Sequence, residues 1–100
     1  MDEALALARL IEEFNLCREQ GDQEGAEAVL YSALELGPDF EAFVHFQFGR
    51  LYGEWNKLTS AINHLSRAAE LLDTRRDVTL WIQVTGEIES LRQRQALQKP

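Results

Sequence analysis

Chain breakers are scarce: prolines occur only at Pro38 and Pro100, and glycines number six in 100 residues. That leaves long stretches open to helix. No segment alternates apolar and polar residues as a half-buried strand would, so a β-rich architecture is excluded. Cys17 is the lone cysteine; it cannot form an internal disulfide and fits a reducing compartment. No run approaches the ~18 consecutive apolar residues of a membrane span. The first residues are acidic (Asp2, Glu3) where a secretory signal is basic. A cytoplasmic protein is the expectation. Basic residues are also few, ten Lys and Arg against 17 Asp and Glu, for a net charge of −7. The deficit is uneven: residues 1–41 hold eleven acids against Arg9 and Arg18, whereas 42–100 hold six acids against eight bases. Nucleic acid and anionic membrane are therefore not expected as partners, because neutralising phosphate needs clustered Lys and Arg. The acidic half suits a basic partner, or the basic end of another copy of the chain. It equally suits simple solvation of exposed helix faces.

Catalytic patterns are absent as well. His45 and His64 are expected on different helices, with His64 on a solvated side. No Ser/His/Asp set, phosphate-cradling glycine loop or Cys/His metal spacing occurs. Neither an enzyme nor a cofactor or metal is expected.

What is present is one domain's length of ordinary globular composition, 45% apolar and 27% charged. Apolar residues recur at helical spacing in five segments. The first runs from about Asp2 to Gln20 and carries Leu7, Leu10, Ile11, Phe14 and Cys17; Gly21 stops it and Asp22 is placed to cap the second. The second carries Ala26, Leu30, Ala33 and Leu34 up to Gly37-Pro38. Asp39 is placed to cap a third, rich in aromatics from Phe43 to Tyr52. A turn at Gly53–Asn56 leads to a fourth with Leu58, Ala61, Leu65, Ala68 and Leu71. Thr74 and Asp77 have the layout of a capping box for a closing helix over about 76–94, with Trp81, Val84, Ile88 and Leu91 on one face. A polar tail, 95–100, is expected to fray.

One echo organises these helices. Leu16, Glu19, Ala26, Leu30, Ala33, Glu35 and Leu36 recur 35 positions later as Leu51, Glu54, Ala61, Leu65, Ala68, Glu70 and Leu71. A period in this range marks stacked helical units. The second unit reads His45-x2-Phe48-Gly49-x2-Tyr52, then Ala61-x3-Leu65-x2-Ala68, then Asp73. The first matches in its second helix only, with Gly21-Asp22, Ala26-x3-Leu30-x2-Ala33 and Pro38. These residues resemble the tetratricopeptide repeat, a helix–turn–helix unit of about 34 residues. His45 stands where that family has Trp, Leu65 where an aromatic is common, and Glu13-Phe14 where Leu-Gly is usual.

The resemblance implies an all-α, α-α superhelical domain over 1–100 with about five antiparallel helices. It divides into repeat 1 at about 7–40, repeat 2 at about 42–74, and the closing helix. An unrelated five-helix bundle is the rival reading. The resemblance further implies a protein-interaction module whose concave face binds a peptide or partner helix. The family's groove positions fall on Ile11 and Asn15, on Phe43, Phe46, Gln47 and Arg50, and on Ile82. Phe43, Phe46 and Arg50 share one helix face, so two rings and a guanidinium could grip an apolar peptide with an acidic group. Either ring could instead be ordinary core against the closing helix. Ile11 replaces the Lys that begins the family's clamp for chaperone tails, so that ligand is not implied. Self-association into a homo-oligomer, and a small acidic chaperone for a secreted or assembling partner, are the alternative functions.

Overall fold

In a computed structural model of the chain, residues 3–98 are described. They form five α-helices: α1 Glu3–Glu19, α2 Gln23–Leu34, α3 Glu41–Glu54, α4 Leu58–Leu71 and α5 Val78–Gln98, with a 3-10 turn at Pro38–Phe40. No strand occurs among the described residues. The all-α class and the antiparallel order of the helices follow as expected. The expected first residue of α1, Asp2, lies outside the described residues.

Two hairpins, α1–α2 and α3–α4, are closed by the same turn. Gly21 takes φ +72° and Asn56, 35 positions on, takes φ +59°. In each turn the next amide reaches back five residues to the helix end, Asp22 to the Cys17 carbonyl and Lys57 to the Tyr52 carbonyl, both at 2.8 Å. The left-handed residue satisfies carbonyls that the helix end would otherwise leave unpaired. Asp22 caps α2 as expected, its carboxylate accepting the Gly25 amide at 2.9 Å. The echo also governs burial: Ala26, Leu30 and Ala33 are in the core at 0–3% exposure, and so are Ala61, Leu65 and Ala68 at 0%.

α3 is the axis of the molecule. One side of it, Val44, Phe48 and Leu51, closes a core with Phe14, Ala26 and Leu30 of the first hairpin. Another side, through Phe46, closes a second core with Leu65, Ala68, Val84, Ile88 and Leu91. Burying each Val, Leu, Ile or Phe side chain among these contributes ~1.5–3 kcal/mol. Tyr52 packs against both cores. The molecule is elongated, 50 × 36 × 17 Å, because helices are added side by side rather than wrapped round one centre.

Several local expectations are corrected. Asp39 caps nothing: it lies in the 3-10 turn, and α3 starts after Phe40 without a side-chain cap. Gly37, at φ +134°, redirects the chain first. Gly53 belongs to buried α3, not to the turn; a Cβ there would meet Leu91 Cδ2 at 3.4 Å. Thr74 does not open α5. Asp73 and Asp77 instead close on each other, the Asp77 amide donating to the Asp73 carbonyl at 2.7 Å, and α5 begins at Val78. At its far end α5 continues to Gln98, through residues expected to fray. Arg94, Gln95 and Gln98 anchor it: Gln95 Nε2 donates to Thr59 Oγ1 and Gln98 Nε2 to Asn56 Oδ1, both at 2.9 Å. No described helix is long and apolar enough to cross a membrane.

Candidate interaction trough

α1 and α3 each turn a stripe at spacing i, i+4, i+7 toward the gap between them: Ile11, Asn15 and Arg18 on α1, and Phe43, Gln47 and Arg50 on α3. Residues so spaced lie one above another on a helix. They border a trough of about 180 Å³ whose floor includes Phe14, Leu30, Ala33 and Val44. The trough is apolar at the Leu7 and Phe43 end and cationic at the other. Arg18 forms a bidentate ion pair with Glu54, its Nε donating to Oε2 at 3.2 Å. The same guanidinium lies 5.6 Å from the Phe14 ring centre. Arg50 is exposed, with its guanidinium 5.7 Å over the ring of Phe46.

Past Arg50 the trough opens into a shallower depression of about 350 Å³ between α3 and α5, lined by Gly49, Gly53, Glu87, Ser90 and Arg94. Burial pushes the Glu87 carboxyl above its ordinary range, and the positive charge of Arg50 partly opposes that shift.

Of the residues singled out in the sequence, Ile11, Asn15, Phe43, Gln47 and Arg50 are gathered in this trough. Phe46 is not: it is 7% exposed and packs in the α3–α4–α5 core, beneath Arg50. Ile82 is not either, since it stands 59% exposed on α5 and lines no part of the trough. α5 packs through Val84, Ile88 and Leu91, which turns Ile82 to the opposite side. Arg18, Glu54 and Glu87 were missed. The i, i+7 relation of Arg18 to Ile11, matched by that of Arg50 to Phe43, is the signal that could have found Arg18.

A second cluster overturns the expectation for His64. His45 on α3 and His64 on α4 meet with Nδ1 atoms 3.0 Å apart and rings stacked at 27°. Phe48 stacks on His64 at 4.7 Å, and Tyr52 lies 5.5 Å from it. Both histidines are half-buried, not solvated. Burial holds the pKa of each below the ordinary value; for His45, Glu41 opposes the shift, while for His64 the neighbouring His45 adds to it. The Tyr52 hydroxyl is pushed up to about 12, chiefly by burial. Among the described residues no group of three or more His, Cys, Asp or Glu is arranged to hold a metal ion. Positions equidistant from a hairpin turn face each other, and His45 and His64 flank the Trp55–Asn56 turn almost symmetrically. Compared with family models, curated proteins and solved structures, the chain matches none.

Proposed function

We propose that the chain is a non-enzymatic interaction module of tetratricopeptide-like design that grips an extended peptide or partner helix in the α1–α3 trough. One observation carries the reading: Ile11, Asn15, Phe43, Gln47 and Arg50, transferred from the repeat pattern, converge on one trough with an apolar floor and a guanidinium at its mouth. The size of the trough argues for a side chain rather than a metabolite as occupant. It measures about 180 Å³, against ~300–1,000 Å³ for sites that engulf small molecules. An apolar anchor would sit against Phe43 and Phe14, and an acidic group of the ligand would pair with Arg50. No nucleophile, base and oxyanion donor converge there, which favours binding over chemistry. A reducing, cytoplasmic setting agrees with the unpaired Cys17.

The test selects binders from a displayed library of random peptides and measures them by calorimetry against the Phe43→Ala, Arg50→Ala double variant. A loss of about thirtyfold or more is expected for hot-spot residues. Undiminished binding by a variant that melts like wild type would sink the trough as the binding face.

A further inference from the structure

The two walls of the trough repeat one another. Ile11, Asn15 and Arg18 on α1 have Phe43, Gln47 and Arg50 on α3 as counterparts, each 32 positions on. Successive helices are antiparallel, so α1 and α3 run the same way. The chemistry of both walls therefore changes in step: apolar, then amide, then guanidinium. The apolar and guanidinium levels are seven residues apart, about 10.5 Å along a helix. An extended ligand covers that span in about three residues at ~3.3 Å each, whereas a helical ligand needs about seven.

The amide level separates these two ligands. Asn15 and Gln47 each offer donors and an acceptor. Among the described residues neither enters a side-chain hydrogen bond. A helix satisfies its own backbone groups and has nothing to give them. An extended segment leaves its N–H and C=O groups in need of partners.

The guanidinium level is not symmetric. Arg18 is held by Glu54, and Glu19 lines the same shallow depression beyond it. Arg94, across the α3–α5 depression, is turned to the Gly53 carbonyl and the Asn56 side chain, with Glu87 beside it. Arg50 enters no ion pair among the described residues and lies over Phe46. Acids and bases thus balance around the mouth, and nothing there draws a polyanion. One uncommitted guanidinium remains. We propose that the trough reads an extended segment in which an apolar residue and a single carboxylate lie three positions apart. The apolar side chain sits between Ile11 and Phe43, and the carboxylate pairs with Arg50. Glu54, by occupying Arg18, limits the site to one acid. This inference rests on the trough being the binding face.

Peptides selected on the whole chain test it, once resynthesised with both ends blocked so that no terminal carboxylate takes part. Their shared pattern is an apolar residue with Asp or Glu three positions away, and NMR of the bound peptide gives extended-chain shifts. By calorimetry, moving the acid two positions costs about tenfold in affinity on wild type and nothing on Arg50→Gln. Glu54→Gln, which frees Arg18, tightens peptides carrying a second, adjacent acid about threefold. A merely structural role for Glu54 would instead weaken all peptides alike. Circular dichroism melting checks that each variant stays folded. An acid seven positions from the apolar residue, with helical shifts on binding, overturns the extended reading and leaves the trough as the binding face. Binders that carry no acid do the same. Two-acid peptides that gain nothing from Glu54→Gln overturn the single-acid limit. Binding undiminished in the Phe43→Ala, Arg50→Ala variant, or a selection that yields no binder, removes the trough and the inference together.

Discussion

The two hairpins carry the same second helix but different first helices. Ala26, Leu30 and Ala33 on α2 and Ala61, Leu65 and Ala68 on α4 are buried alike. Their partners differ at many positions, and one pair sets the packing: α1 has Phe14 where α3 has Gly49. A Cβ on Gly49 would meet Leu65 Cγ at 2.4 Å and the Ala61 carbonyl oxygen at 3.2 Å, so α3 and α4 touch backbone to side chain. Phe14, 3% exposed, fills the same place with a ring and helps floor the trough. A repeated framework therefore gives a tight hairpin where glycine allows approach and a hairpin bordered by a trough where phenylalanine fills the gap. Leu16 and Leu51 differ for another reason: the α1–α2 hairpin packs over Leu51, and no described residue covers Leu16.

The strongest way to break this comparison is to make the hairpins alike. Gly49→Phe should destabilise by about 4 kcal/mol or more, because Leu65 and the α4 backbone cannot both yield. Urea unfolding followed by circular dichroism reads this, and a loss below about 1 kcal/mol would show that the close approach is not needed. Next in size is a contrast at the paired leucines. Leu51→Ala should cost about 3 kcal/mol, and Leu16→Ala in dilute solution about 0.5 kcal/mol or less. Equal costs would mean that the burial difference does not hold in solution.

A pH effect separates the hairpins further, since the histidine pair belongs to α3–α4 alone. His45 and His64 are held below their ordinary pKa of 6.5 when folded. Between that value and the lower folded values the unfolded chain binds more protons, so stability is full above about pH 6.5 and falls as pH drops. Arg67 adds to the lowering at His45, and Glu41 opposes it. Glu87 titrates with the reverse sign: its raised pKa contributes stability at low pH that is lost as pH rises through the carboxylate range. Melting temperature between pH 7 and pH 5 should fall for wild type and fall less for the His45→Gln, His64→Gln double variant. Parallel curves would remove the pair from the account. The smallest contrast is at the caps. Asp22 and Lys57 have similar backbones, φ −83°, ψ 88° and φ −91°, ψ 70°, but only Asp22 makes a side-chain cap. Asp22→Ala should cost about 1 kcal/mol, and Lys57→Asp should gain about 0.5 kcal/mol.

Much of the fold was legible because helix periods, Gly21, Asp22 and the spaced alanines act locally. Ends set by longer contacts were not. Gln95 and Gln98 read as a fraying tail until Thr59 and Asn56 hold them. In the trough, Ile11, Asn15, Phe43 and Gln47 were reached through the groove positions of the repeat that the chain resembles, whereas helical spacing grouped Phe43, Phe46 and Arg50. Phe46 and Ile82 depend on how far each helix is rotated about its own axis, which spacing within one helix does not fix.

The sequence by itself determined the five helices and the Gly21–Asp22 turn, since each depends on residues within a few positions of one another, and the 35-residue equivalence is read from the residues directly. Tertiary structure alone decided which faces meet: that Phe46 lies under Arg50, that His64 reaches His45, and that Leu16 and Ile82 stay uncovered. Those outcomes turn on helix rotation and neighbour order, set by packing between segments far apart in the chain.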